Sequence, residues 1–459
     1  MNALVLSVAP FQSDPRHLYW AEALRNHGYT VTQLELLDHL QDHRVASIAY
    51  EQDGTLTAAS NRQASPDFGV LQELSLSTTT ATGRFLLARV KRLAAAGNMI
   101  KKYLGDFDLV IANDLLGALI ASEIYGDKSN RVIYDAQEVF TDAYALVKGP
   151  KLSRREISAW IQLETVVCQN VAEVVTVSDG IAELYAERHN ITCVVAPNFT
   201  PLSKKRQSSA TGLPIKFVLV GRVDPHRGID KLVTAWDFPA EKFQLDLYLT
   251  DSPQLERLKK LSKSLHREFE GPNFRRAVKP GEIIPMLTRY DVGVVPYDFN
   301  YPYYHASPNK VGEYIAAGLP ILTNDQAFVS DLVQRFGIGK VFSWDQVGSF
   351  NAAVCQLNEP STVDQLKANV ARVGSDELNW GKVTDALLRR NTRMINDRPQ
   401  SGNQFFATEI VRATFIESVR AKLRSQLLRS FGKIQSQSWN WRLVGKKPRA
   451  AMRPIRDTK

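Results

Sequence analysis

The sequence predicts an α/β protein with two doubly wound halves of similar size facing a cleft, followed by a basic helical tail. Three observations predict it. Short apolar strands alternate with amphipathic helices from residue 1 to about 395. A polar, Pro/Gly/Ser-rich stretch, "TPLSKKRQSSATGLP" (200–214), interrupts the alternation, and the same rhythm then restarts. Beyond residue 400 the composition turns basic. A β-α-β rhythm calls for a parallel sheet covered on both faces.

In order, "ALVLSVA" (3–9) reads as a first core strand, "PRHLYWAEALRNHG" (15–28) as a helix and "YTVTQLEL" (29–36) as a strand. "FDLVIAND" (107–114), "RVIYDAQE" (131–138) and "AEVVTVSDG" (172–180) are strands ending in polar residues, with helical segments between them. Ligands sit at the carboxyl ends of such strands, where Asp114, Asp135, Gln137 and Glu138 fall. After the linker, "IKFVLVG" (215–221), "FQLDLYLT" (243–250), "DVGVVPY" (291–297) and "LPILTN" (319–324) are strands. "DKLVTAW", "GEIIPMLTRY" and "SPNKVGEYIAAG" supply helices, and "NWGKVTDALLRRNTRMI" (379–395) a last one. The expected division is 1–199, linker 200–214, 215–378, a closing helix 379–400 and a tail 401–459.

Length fits two domains of ordinary size. With 44% hydrophobic and 23% charged residues the composition is that of a globular protein. Three scattered cysteines, Cys168, Cys193 and Cys355, make neither a disulfide framework nor a metal-site spacing, which fits a reducing cytoplasm. The first residues carry no signal-peptide pattern, and no apolar run is long enough to span a bilayer. Residues 401–459 hold 13 Lys and Arg against 3 Asp and Glu, whereas 1–400 hold 44 against 45. The net charge of +9 therefore belongs to the tail, and no nucleic-acid partner is expected of the body.

Two stretches carry the chemistry. In "FVLVGRVDPHRGIDKLV" (217–233) a strand ends at Gly221, Arg222 and Arg227 follow in the loop, and a helix opens after Gly228. Guanidinium forks beside a helix N-terminus suit a diphosphate, although loop arginines are commonly just solvated. In "HASPNKVGEYIAAG" (305–318), Ser307 fits a helix N-cap, Pro308 the first helical position and Gly318 the C-terminal stop. Lys310 then falls in the first turn, the wrong end of the helix dipole for a cation. Glu313, three residues on, shares its face, while Val311, Tyr314 and Ile315 would pack on the sheet. One reading is a surface ion pair; the other is an anion held by Lys310 and the helix N–H groups, with Glu313 accepting from hydroxyls.

The order of these pieces resembles the GT-B glycosyltransferases of the retaining, glycosyltransferase-family-4 type, in the subgroup with YDAHE and SPNKxxEY motifs. The likeness covers residues 1–395 through "VIYDAQEVF", "VVTVSDGIAELY", "VVAPN", the "VGR…RGID" loop, "IIPMLTRYDVGVVPY", "SPNKVGEYIAAGLPIL" and the closing "NW". It implies two Rossmann-like domains. Arg222, Arg227 and Lys310 would grip the donor diphosphate, with Arg227 where lysine is usual. Gly221, Ser307, Asn309 and Val278 would complete the donor pocket, and Glu313 would take the ribose. His305 stands where the family has a sugar-contacting glutamate. Gln137 replaces a histidine near the reacting sugar; it exchanges hydrogen bonds but cannot take a proton. Asp14, Asp114, Asp135 and Glu138 would line the acceptor and sugar side.

The resemblance implies retaining transfer of a sugar from a nucleotide-diphosphate donor to a glycan or lipid-linked acceptor, in polysaccharide or glycoconjugate assembly. No metal and no cofactor is expected: the eight histidines lack metal spacing, and neither a G-x-G-x-x-G after a strand nor a P-loop is present. A sugar-nucleotide epimerase of the same two-domain architecture is an alternative, and Gln137 with His305 leaves open an inactive binding subunit. The basic amphipathic segments 83–105 and 401–459 are candidates for an anionic membrane surface at the inner face; an ordinary solvated helix or a protein-docking arm is the competing reading.

Overall fold

A computed structural model describes residues 1–8, 14–39, 44–50, 56–60, 86, 107–125, 131–142, 152–201, 210–224, 227–265, 271–298 and 304–396. The chain divides into two compact units, Met1–Thr408 and Glu409–Lys459. The tail 401–459, most of 83–105, His226 and the middle of the linker lie outside the described residues.

The first half is built on β1 (Asn2–Ser7), β2 (Thr30–His39), β3 (Arg44–Tyr50), β4 (Leu56–Ser60), β5 (Leu109–Asn113), β6 (Val132–Ala136), β7 (Glu173–Thr176) and β8 (Val194–Val195). They form one sheet in the order β4-β3-β2-β1-β5-β6-β7-β8. Helices α1 (Arg16–Asn26), α2 (Asp114–Ile124), α3 (Arg154–Asn170) and α4 (Asp179–His189) cover it. The strands from β2 to β8 are parallel, but β3 and β4 join antiparallel at the edge. That extension was not expected. "RVASIAY" and "LTAAS" lack the continuous apolar run that marks a strand buried on both faces.

The second half holds β9 (Ile215–Gly221), β10 (Phe243–Leu249), β11 (Asn273–Arg276), β12 (Val292–Val295), β13 (Ile321–Asn324) and β14 (Gly339–Phe342). All are parallel, in the order β11-β10-β9-β12-β13-β14. Around them lie α5 (Ile229–Ala235), α6 (Pro253–Leu265), α7 (Pro280–Leu287), α8 (Asn309–Ala317), α9 (Ala327–Phe336), α10 (Ser349–Cys355) and α11 (Pro360–Asp376). The last helix, α12 (Trp380–Asn396), returns to the first half. Its Trp380, Leu387 and Leu388 join Ala3, Val5, Trp20 and Leu24 in one core, and Trp380 meets Trp20 edge-on at 5.0 Å between centroids.

Chain order reverses between β1 and β5 in one sheet and between β9 and β12 in the other. Crevices open at such switch points, at the carboxyl ends of the strands. In the second sheet that edge holds Gly221 after β9 and Tyr297 just beyond β12, and α8 comes next along the chain. Val311, Tyr314 and Ile315 are buried, as the sequence spacing required. The Tyr314 ring lies flat on Gly293, whose missing side chain makes room for it, and its hydroxyl donates to the carbonyls of Val218 and Val294. A methyl group at residue 293 would enter that ring. Gly293→Ala should therefore cost about 1–3 kcal/mol in urea unfolding, as overpacked cores do; an unchanged midpoint would show that the helix is seated otherwise.

Candidate functional site

The site is assembled where β9, the loop after it and α8 converge. Gly221 ends β9 with φ +148, a conformation that favours glycine. A Cβ there would stand 3.6 Å from Lys310 Nζ and 3.9 Å from Arg227 Nη1, which places both cations over the strand end. The Tyr297 ring lies beneath them, with Lys310 Nζ 5.1 Å and the Arg227 guanidinium carbon 5.7 Å from its centroid. Arg227 also donates to the Tyr297 hydroxyl at 3.4 Å. Gly228 opens α5 with φ +64 and lies against the Pro296 carbonyl. Any side chain there would push the arginine loop off the β12 end.

Asp224 is the anion of this loop. Its carboxylate accepts from Arg222 at 3.1 Å and pairs with Arg227 Nε at 3.2 Å. The Arg222 side chain is 68% exposed, so it belongs to the rim. Lys310 differs: it is 6% exposed, and its ammonium has no hydrogen-bond partner among the described residues. Burial, reinforced by Arg227, pulls it down to about 7. Burial pushes Glu313 up to about 7 against the pull of Lys310. The two are close enough to shift each other yet form no ion pair among the described residues, so the surface-pair reading fails. Burying an ammonium without an acceptor is costly, and an anion beside it relieves that cost.

Ser307 does not cap α8. Pro308 is the N-cap, and no side chain caps the helix. The Ser307 hydroxyl instead accepts from the Asn198 N–H at 3.0 Å, and its carbonyl accepts from Asn198 Nδ2 at 2.8 Å. The first turn, with Asn309 and Lys310, thus keeps N–H groups free of a side-chain cap, which favours an anion. His305 lies on the seam between the halves. Its carbonyl accepts from Ser178 Oγ at 2.6 Å, and its ring rests on Gly180 in the first turn of α4. Val278 packs half-buried in the cluster that includes Val220 and Tyr248.

In the first half the expected residues part company. Asp135 is fully buried with its carboxylate engaged: Arg16 Nε and Nη2 fork onto it at 2.6–3.1 Å, and Trp20 Nε1 donates to it at 2.8 Å. A carboxylate at the strand end next to a buried guanidinium is taken up in the core. Asp14 accepts from the Arg16 N–H at 3.0 Å and starts α1. Gln137 is half-buried and Glu138 exposed. Asp114 is a non-glycine residue at φ +60, opening α2 at the switch point of the first sheet. Such backbone strain gathers at working sites. Tyr19 of α1 stands near enough to Glu313 that its charge adds to the burial raising the phenol to about 12.

Sequence reasoning missed Tyr297, Gly312, Asn198 and Arg16. Tyr297 was readable in principle, as an aromatic directly after a buried strand at a switch point. The other three matter through contacts far along the chain. Among the described residues no three His, Cys, Asp or Glu side chains converge to hold a metal ion.

No family model and no curated protein sequence matches the chain. Solved structures do. Sucrose-phosphate synthase from Thermosynechococcus elongatus is 16% identical with a TM-score of 0.61, over 87% of this chain and 100% of that one. The α,α-trehalose 6-phosphate synthase from Burkholderia multivorans is 13% identical with a TM-score of 0.59, over 86% and 100%. The Anabaena protein HepE, in complex with UDP and glucose, is 10% identical with a TM-score of 0.55, over 85% and 99%. These likenesses establish the fold: two Rossmann-like domains in the GT-B arrangement.

A buried cation without a partner destabilises the protein that carries it. The folded-state value of Lys310 lies far below its unfolded one, so the penalty is full below about pH 7 and fades as pH rises toward the unfolded value. Lys310→Met keeps the volume and removes the charge. It should stabilise the ligand-free protein by roughly 1–4 kcal/mol at pH 6. The gain at pH 9 should be smaller; equal gains at both pH values, read by thermal melting, would contradict a charged Lys310.

Proposed function

We propose that this chain is a glycosyltransferase that moves a sugar from a nucleotide-diphosphate donor, with retention, to a glycan or lipid-linked acceptor in cell-surface polysaccharide or glycoconjugate assembly. The observation that carries the proposal is the buried, unpartnered Lys310 ammonium over the end of β9, beside Arg227 and an uncapped helix N-terminus. The sequence resemblance to retaining family-4 enzymes and the UDP and glucose bound by HepE support the same ligand class. The 215–378 half would bind the donor and the 1–199 half the acceptor.

Each role follows from chemistry. Leaving-group departure loads negative charge on the diphosphate, and Lys310, Arg227 and the α8 N–H groups are fixed donors aimed at it. Arg222 on the rim would steer the donor in. Glu313 would accept from ribose hydroxyls. Gln137 would orient the sugar by hydrogen bonds, which suffices where the acceptor attacks on the face the diphosphate leaves and the diphosphate itself takes the proton. No helix among the described residues is long and apolar enough to cross a membrane. A cytoplasmic enzyme docked on the inner membrane face through its basic segments is the location we propose.

Two measurements test this. In a panel of nucleotide sugars and nucleoside diphosphates, one base should stabilise the chain by about 2.7 kcal/mol at a concentration one hundred times its Kd. Lys310→Met should abolish that stabilisation, and a panel without any shift would sink the donor assignment. The pH dependence has a definite sign. Lys310 binds a diphosphate as ammonium but releases its proton near pH 7 in the free protein, while Glu313 gains charge over the same range. Affinity for UDP should therefore fall as pH rises from about 7.5 to 9, approaching tenfold per unit. Calorimetry in buffers of different ionisation enthalpy should show proton uptake on binding.

A further inference from the structure

Asn198 leaves the first half just after β8, and its side-chain amide and backbone N–H are engaged. Its Oδ1 accepts from Arg16 Nη1 at 2.7 Å. Its Nδ2 donates to the Ser307 carbonyl at 2.8 Å and its N–H to Ser307 Oγ at 3.0 Å. Its own carbonyl lies against Gly312, where a methyl group would overlap it. The amide can sit only this way round, because arginine offers donors alone and a carbonyl accepts alone. Ser307 and Gly312 bracket Lys310, so Asn198 grips the first turn of α8 on both sides of the cation.

The other end of this chain of bonds is just as fixed. Arg16 is 1% exposed. Its Nε and Nη2 hold Asp135, Nη1 also donates to the Ala196 carbonyl at 2.8 Å, and its flat face lies 4.6 Å from the Trp380 ring centroid. Asp135 is in β6, two residues before Gln137. An unbroken run of directed hydrogen bonds therefore joins the end of β6 to Ser307, immediately before α8, across the seam between the halves.

We infer that Asn198 is a positioning residue that locks the first turn of α8 to the end of β6, so that an anion held at Lys310 is felt at residues 137–142. The inference rests on the diphosphate site proposed above. Hydrogen bonds between buried groups are either made or broken, because a half-made one leaves a desolvated atom unpaired. Ordering of Ser307 and Gly312 by an anion is then passed through Asn198 to Arg16 and Asp135. Coupling of this kind is reciprocal: order at the β6 end must favour anion binding to the same extent.

Hydrogen exchange read by mass spectrometry on the full chain tests this, with inorganic pyrophosphate as the probe at pH 7.0. In the wild type, saturating pyrophosphate should slow exchange in residues 307–314 and in 137–142, each by about threefold or more. In Asn198→Ala the slowing at 307–314 should remain while that at 137–142 disappears. Arg16→Lys, which keeps a cation beside Asp135 but loses the Nη1 bond to Asn198, should behave likewise and carries the test if Asn198→Ala does not fold. A merely structural Asn198 would lower the melting temperature and leave the two regions responding together, which overturns the coupling. So does a wild type protected at 307–314 alone. Absence of slowing at 307–314, or slowing that survives Lys310→Met, overturns the diphosphate site itself and the coupling with it.

Discussion

The second half is arranged around one unfavourable fact, an ammonium buried without an acceptor. Lys310 cannot swing out to water, because the helix that carries it is fixed on two sides. On one, the Tyr314 ring lies on Gly293; on the other, Gly312 is pressed to the Asn198 carbonyl. Its surroundings are fixed too. Gly221 lets the cations approach the strand end, and Gly228 holds the Arg227 loop on the segment that presents Tyr297. Three of these contacts depend on a glycine where any side chain would collide, and they are needed only if the lysine must stay where it is.

Such an arrangement spends stability on readiness. The Tyr297 ring offers the two cations a π face, which returns only part of what hydration would supply. Asp224 compensates the arginines but not the lysine. By contrast, the charged pair in the first half is fully met: Asp135 accepts from Arg16 and Trp20, and Arg16 spreads its donors over Asp135, Ala196 and Asn198. Arg16 and Asp135 are thus buried in a satisfied network, whereas Lys310 is left open among the described residues. That contrast fits an anchoring role for Arg16 and Asp135 and, in the function proposed above, ligand binding by Lys310.

How much of this could be read from the residues follows from the range of the forces. The strand-and-helix rhythm, the closing helix and the buried face of α8 depend on local periodicity, and they were legible. The resemblance placed Arg222, Arg227 and Lys310 together, and the structure brings Arg227 and Lys310 over Gly221 while Arg222 stays on the rim. The antiparallel β3 and β4 were not legible, since edge strands need no strong pattern. Asp135 misled because a carboxylate at a strand end looks the same whether it faces a ligand or a guanidinium 119 residues away. Ser307 misled in the same way. Its hydroxyl can cap a helix or take an N–H from residue 198, and only the seam decides.

His305 is where the departure from the resembled family acquires a physical cause. A glutamate is expected at that place, turned toward the transferred sugar. Here the residue sits on the seam, its carbonyl against Ser178 Oγ and its ring on Gly180, in the first turn of α4. A helix N-terminus attracts carboxylates. A glutamate at 305 would be drawn to the α4 N–H groups and away from any sugar. Histidine, which burial holds below its ordinary value and so neutral, makes the contact without that pull. In the proposed enzyme the sugar-facing side would then be left to groups such as Gln137, which belongs to the other half. Recognition of the sugar would depend on how the two halves are held together, to which the hydrogen bonds of Asn198 and of Ser178 both contribute.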